Sequence, residues 1–166
     1  KHFPGHGSSS KDTHMEVTDI SKTWIIEELF PYKSLIDSGL VDAIMSAHVV
    51  NSQLDELMLP GTLSEKIING ILRNFLGYNG VVFSDDMQMQ AITKYYGLEK
   101  AVEKSINAGI DILLFSNNQL SNNQVTLDTV ISIIKEKVKT GTIKPDRIHE
   151  SFNRIKKLKQ KIGLII

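Results

Sequence analysis

Three histidines and an acid fall within the opening segment, Lys1-His2-Phe3-Pro4-Gly5-His6-Gly7 followed shortly by Asp12-Thr13-His14. Glycines hinge this stretch as a loop, and an imidazole, whose ordinary pKa is about 6.5, can donate and then accept a proton near neutrality. A second cluster, Phe83-Ser84-Asp85-Asp86-Met87, closes an apolar run with two adjacent carboxylates. One carboxylate that attacks and a second group that protonates a leaving oxygen are what glycoside cleavage needs, so the two clusters together suit that chemistry. Asp85 and Asp86 cannot serve alike, because side chains alternate along an extended strand and the pair must diverge. His2, His6, Asp12 and His14 are also zinc-capable, yet their spacing matches no helical ligand pair and the glycine-rich surroundings supply no tetrahedral template. No metal and no cofactor is expected.

The elements that must position these groups follow from hydrophobic period. Short, wholly apolar runs alternate with longer runs whose apolar residues recur at three and four. Helical spacing through Trp24, Ile25, Leu29, Tyr32, Leu35 and Ile36 stops at Gly39, and residues 41–50 then read as one buried strand containing His48. Thr62 and Glu65 form a helix-start signal ahead of the stripe Ile67, Ile68, Ile71, Leu72 and Phe75, which ends at Gly77. Residues 81–84 are the next strand, with a loop over 85–89, a helix over about 98–108 and a stop at Gly109. A strand over 111–115 and helices over 127–138 and 145–162 complete the series, the last opening at Pro145-Asp146. Strands apolar along their whole length are buried on both faces, which predicts an α/β fold of parallel strands covered by outer helices. Doubly wound sheets and eight-stranded barrels both arise from such repeats, and both carry chemistry at the carboxyl ends of the strands. His48, Asp85 and Ser116-Asn117-Asn118 follow the three strands and would share one rim. Three or four repeats amount to half a barrel, and no dinucleotide-type glycine fingerprint favours the wound sheet.

Composition narrows the partners. Of 166 residues, 41% are hydrophobic and 23% charged, enough for one core, and nineteen basic against nineteen acidic residues give zero formal charge. That balance lacks the electrostatic footprint of a phosphate-backbone binder, so no nucleic-acid partner is expected. The basic run over 156–161 keeps apolar residues at Ile155, Leu158 and Ile162 and reads as the solvated face of an amphipathic helix. Met45, Met87 and Met89 read as packing residues, and Trp24 as part of a helix stripe. Without cysteine there is no disulfide or thiol chemistry, and the compartment stays open. No apolar segment approaches the ~20 residues of a membrane span.

Together, Lys1 to Gly7, Asp12-Thr13-His14 and Phe83-Ser84-Asp85-Asp86-Met87 resemble the family 3 glycoside hydrolases, in particular their β-N-acetylglucosaminidase branch. The resemblance extends through residues 42–48, 60–64 and 108–111 in order. It implies the carboxyl-terminal half of a TIM (β/α)8 barrel over residues 1–166, with the amino-terminal half and its further sugar-binding residues missing. It implies Asp85 as nucleophile, His14 as acid/base held by Asp12, and Lys1 and His2 as donors to the hydroxyls of the bound sugar. His48 resembles a strand-end histidine near the substrate, although a buried histidine satisfied by its neighbours is the alternative. A cis bond at Phe3-Pro4 is implied as well.

The activity implied is retaining removal of terminal β-linked N-acetylglucosamine from cell-wall-type oligosaccharides of bacteria. A β-glucosidase of the same family is a rival reading, but that branch lacks the Asp12-His14 dyad. Another is a catalytically incompetent half-barrel acting as a structural or self-associating module through its exposed sheet edges. A cytoplasmic address is expected, with a periplasmic or secreted one open because a leader would lie upstream.

Overall fold

The computed structural model describes residues 1–6, 9, 17–117 and 124–164. In chain order it contains β1 (Thr18–Asp19), a 3₁₀ turn at Ile26–Leu29 leading into α1 (Phe30–Asp37), β2 (Ala43–Met45), β3 (Val49–Val50), a 3₁₀ turn at Gly61–Leu63 and a π-helix over Lys66–Phe75. β4 (Val81–Asp86), α2 (Gln90–Tyr96), α3 (Leu98–Ala108), β5 (Ile112–Leu114), α4 (Leu127–Lys139) and α5 (Pro145–Lys161) follow. Every strand pairing is parallel: β4 lies between β2 and β5, and β1 pairs β3. Phe3 extends the larger sheet on the far side of β2. Its amide donates to Met45 O and its carbonyl accepts from Ala47 N, each at 2.8 Å, while Ser46 N turns the other way to Phe83 O. The expected α/β architecture of parallel strands and outer helices is therefore present, and it matches half of a barrel.

Burial explains the layering. Val81 and Val82 of β4 are sealed, and Ile67, Ile68 and Leu72 of the π-helix pack with Phe3, Ile44, Val82 and Ile110 in one cluster. Val102 and Ile106 of α3 join Val130 and Ile143 in another. Burying such side chains is worth roughly 1.5–3 kcal/mol each. Lys156, Lys157, Lys159 and Lys161 of α5 are exposed beside half-buried Ile155 and Leu158, the solvated face foreseen. Among the described residues no helix is long and apolar enough to cross a membrane.

Four local expectations are corrected. The single strand over 41–50 is broken into β2 and β3, because Ala47 O accepts from Thr62 N (3.1 Å) and Val49–Val50 turn away to pair with Thr18–Asp19. Thr62 does not cap a helix: it is buried, and its hydroxyl meets Ser46 Oγ (2.7 Å) and Ala47 O (3.3 Å). Ser64 takes the capping role, its Oγ accepting from Ile67 N (3.2 Å) and donating to Asp55 Oδ2 (2.6 Å). β4 continues to Asp86, so the loop expected over 85–89 shortens to 87–89, and a short helix, α2, follows it, separated from α3 by Gly97 at φ +68°. Trp24 precedes its helix, and its indole Nε1 donates to Pro4 O at 2.9 Å.

At the amino-terminal end of the sheet, the Asp111 side chain is fully buried against three guanidiniums: Arg73 at 2.8 Å, Arg147 at 3.0 Å and Arg154 at 3.2 Å. Its Oδ2 also accepts from Val82 N (3.0 Å) and its Oδ1 from Ser151 Oγ (2.7 Å). Burial opposes its ionisation, but the Arg73 guanidinium, the Ser151 hydroxyl and the Val82 amide outweigh that and hold its pKa below the ordinary value. The stabilisation is thus complete above the unfolded pKa, about 4, and is lost as the pH falls through the lower folded value. Asp111→Ala leaves the guanidiniums without their carboxylate and is expected to cost about 3–5 kcal/mol in urea unfolding at pH 7. A loss below about 1 kcal/mol, the range of exposed pairs, would show that the cluster does not hold the base together.

Candidate active site

β4 carries both acids out of the carboxyl end of the sheet, and they diverge as strand alternation requires. Asp85 Oδ2 lies 3.9 Å from His2 Nε2, with the Asp85 side chain 18% exposed. Its other oxygen, Oδ1, accepts from Asp86 N at 2.8 Å. The Asp86 carboxylate points to the exit of β5, where Oδ1 accepts from Gln88 N (3.0 Å) and Ser116 N (3.3 Å) and Oδ2 accepts from Ser116 Oγ. One carboxylate is enclosed in hydrogen bonds, and the other presents an oxygen towards His2.

The opening segment is held against this rim by contacts that need particular residues. Trp24 holds the Pro4 carbonyl, and the Phe3–Pro4 peptide is cis, as the resemblance implied. Gly5 sits at φ +121°, a conformation that strains any residue with a side chain, and a Cβ there would also crowd Glu28, whose own Cβ would lie 3.0 Å away. Gly61 lets the backbone pass close to the end of β2, since its Cβ would lie 2.9 Å from Ala47 O and 3.4 Å from Pro4 Cδ. His2 and His6 meet edge to face with ring centroids 6.1 Å apart. Lys1 is exposed at the same end, and Asp12 and His14 lie outside the described residues.

Electrostatics set the protonation of the imidazoles. Burial lowers the pKa of His2, and the Asp85 carboxylate offsets only part of that while Lys1 adds to it. His48 is fully buried, with Nε2 2.9 Å from the carbonyl oxygen of Asp86. A carbonyl only accepts, so Nε2 carries the hydrogen and Nδ1 is a buried lone pair with no partner among the described residues. Burial is again the largest influence and lowers the pKa of His48; the Asp86 carbonyl and the charges of Asp85 and Asp86 oppose it, and His2 adds to it.

The structure therefore brings His2, Asp85 and Asp86 together at one rim and sets His48 beneath them, in contact through the backbone of Asp86. Among the described residues no three metal-capable side chains come together. Sequence reasoning missed Trp24 and Gly61 as anchors of the opening segment and Ser116 as the partner of Asp86. Trp24 carried no signal beyond being the single tryptophan, whereas Ser116 could have been found from its place after a strand beside the two acids.

The lowered His48 value has a sign. Below about pH 6.5 the unfolded chain binds a proton that the folded chain resists, so this contribution is complete above that pH and diminishes as the pH falls. Urea midpoints measured between pH 7 and pH 5 are expected to fall less steeply for His48→Gln than for wild type. Parallel pH dependences would remove the buried neutral imidazole from the account.

Comparison with known proteins bears on this geometry. The model of the glycosyl hydrolase family 3 N terminal domain matches residues 1–158. A β-hexosaminidase of Tolumonas auensis is 40% identical over 122 residues, covering 72% of this chain and 36% of that protein. One from Psychromonas ingrahamii is 32% identical over 167 residues, covering 99% of this chain and 45% of that protein. Among solved structures, a family 3 β-N-acetylglucosaminidase from Paenibacillus sp. str. FPU-7 superposes with a TM-score of 0.87 at 34% identity, covering 99% of this chain and 31% of that one. The chain spans about a third of the length of the first of these curated relatives. With a family model matched over nearly its whole length, the chain belongs to glycoside hydrolase family 3.

Proposed function

We propose that the polypeptide carrying this chain is a retaining exo-β-N-acetylglucosaminidase acting on cell-wall-type glycans, with residues 1–166 forming the carboxyl-terminal half of its catalytic barrel. The observation that carries the reading is the divergence of the two acids, which leaves Asp85 Oδ2 directed to His2 at the sheet's carboxyl end. The names of the β-hexosaminidase and β-N-acetylglucosaminidase relatives support the substrate class.

In the reaction proposed, Asp85 attacks the anomeric carbon and forms a glycosyl ester as the bond to the leaving oxygen breaks. His14, oriented by Asp12, protonates that oxygen. The same imidazole then takes a proton from water as the water attacks the ester and frees Asp85. Lys1 and His2 donate to sugar hydroxyls, and His48 supports the site from below. No cofactor enters this scheme, the other half of the barrel supplies the remaining sugar contacts, and the address is cytoplasmic.

A second reading concerns the chain by itself. Among the described residues β5 pairs only with β4, and its other side opens on a groove of about 650 Å³ lined by Leu114, Leu127, Ile131 and Phe152. Those four side chains are 37%, 74%, 37% and 61% exposed, and an uncovered parallel edge of that kind favours pairing with a second copy. Light scattering on the isolated 166-residue chain is expected to give a dimer or larger, and a stable monomer would dismiss self-association.

The catalytic assignment is tested in the full-length polypeptide. Asp85→Ala should abolish hydrolysis of an aryl N-acetyl-β-glucosaminide, and undiminished turnover would refute the nucleophile. His14→Ala should lose roughly 10²–10⁴-fold on substrates with poor leaving groups and far less on activated ones. Equal losses on both would argue against acid catalysis. Faster hydrolysis of the aryl glucoside than of the N-acetylglucosaminide by wild type would favour the β-glucosidase reading.

A further inference from the structure

The second acid of the strand-end pair has every polar group engaged, and among the described residues its carboxylate contacts none of the groups facing Asp85 Oδ2. Its amide donates to Asp85 Oδ1 at 2.8 Å. Its carbonyl accepts from His48 Nε2 at 2.9 Å and from Met89 N at 3.0 Å. Its carboxylate accepts from Gln88 N, Ser116 N and Ser116 Oγ. We infer that Asp86 is a positioning residue: held by Ser116, Gln88 and His48, its peptide fixes the Asp85 carboxylate so that Oδ2 alone is presented for attack.

The geometry explains why one hydrogen bond needs so many supports. A carboxylate at a strand end rotates about χ1 and χ2, and here the last residue of β4 gives its N–H to the Asp85 side chain, while the next amide, Met87 N, donates to Leu114 O at 2.9 Å. An N–H donated to Oδ1 selects one rotamer and leaves the opposite oxygen free. The orientation of that N–H depends in turn on the two ends of Asp86. The side chain reaches across to the exit of β5, and the carbonyl is capped from below by a buried imidazole whose other ring nitrogen has no partner among the described residues. Beside it a second strap ties the same two loops. Gln88 Nε2 donates to Asn117 Oδ1 (3.0 Å) and Asn117 N donates to Gln88 Oε1 (2.7 Å), while the Asn117 amide exchanges two bonds of 3.0 Å with Val125. Misplacing a reacting oxygen by about 1 Å can cost 10²-fold in rate, so a scaffold of this kind has a catalytic consequence without touching substrate.

This role rests on Asp85 being the nucleophile of the proposed reaction, and the experiment keeps the two ideas separate. Ser116→Ala removes one hydroxyl and Asp86→Asn turns an acceptor into a donor opposite Ser116; both are made in the full-length polypeptide. Each is expected to lower kcat on the aryl N-acetyl-β-glucosaminide about 10- to 100-fold with KM changed less than about threefold. Mass spectrometry of enzyme trapped with a 2-fluoro or slow substrate should still find the label on Asp85. Crystals of Ser116→Ala should show the Asp85 carboxylate turned off Asp86 N. Unchanged kcat in both variants, label on Asp86, or an unmoved Asp85 carboxylate in those crystals overturns the positioning role. The crystallographic outcome decides it even if wild type fails to hydrolyse the substrate, a result that would count against the proposed function alone.

Discussion

β4 is hydrogen-bonded on both sides and pinned at both ends, and the rest of the molecule depends on that. Its base is held by Asp111, whose carboxylate reaches the Val82 amide while gathering Arg73 from the π-helix and Arg147 and Arg154 from α5. Its rim is held by Asp86, whose carboxylate reaches the exit of β5. A buried carboxylate such as Asp111 is tolerated only when its acceptors are filled, and half-buried Asp86 likewise has several donors. Between them the strand has little freedom to shift register, so the direction of Asp85 is inherited from the sheet. The arginine cluster has a further effect, since Arg73 also donates to Gly80 and Gly109 carbonyls (3.2 and 2.9 Å), and thereby ties the turn entering β4 to the turn entering β5.

Desolvation shapes the chemistry available at the rim. His2 and His48 are both pushed towards their neutral forms by burial, although carboxylates stand nearby. A neutral imidazole at His2 can donate one hydrogen bond and accept another, which suits a ligand hydroxyl better than a fixed ion pair would. The 3.9 Å separation from Asp85 Oδ2 is beyond hydrogen-bonding reach, so the two groups share a space without closing it. His48, by contrast, has given its one N–H to a backbone carbonyl and acts on the site through that peptide.

How far the sequence could be read follows from how local each feature is. Helices α3, α4 and α5 were legible because each is long enough for its apolar stripe to repeat and each is bounded by a glycine or proline. α2 escaped because seven residues ending at Gly97 are too few for a period to show. The strand over 41–50 reads as continuous because its run is apolar nearly throughout, and the break at Ala47 arises from a contact with Thr62 fifteen residues away. The same contact withdrew Thr62 from its capping position and left that role to Ser64.

Residue types and spacing determined that the chain carries parallel strands under helices, that its polar clusters lie at the strand ends, and that adjacent acids on an extended strand must face apart. These follow from backbone geometry and the period of burial, which are local properties. Only the tertiary structure decided which acid was enclosed, because that depended on Ser116 arriving from β5 thirty residues later. It likewise decided that His48 is sealed beneath the rim and that Trp24 ties down the opening segment through the Pro4 carbonyl. Each of those outcomes is a hydrogen bond between residues far apart in the chain, and no pattern along the chain specifies where such partners meet.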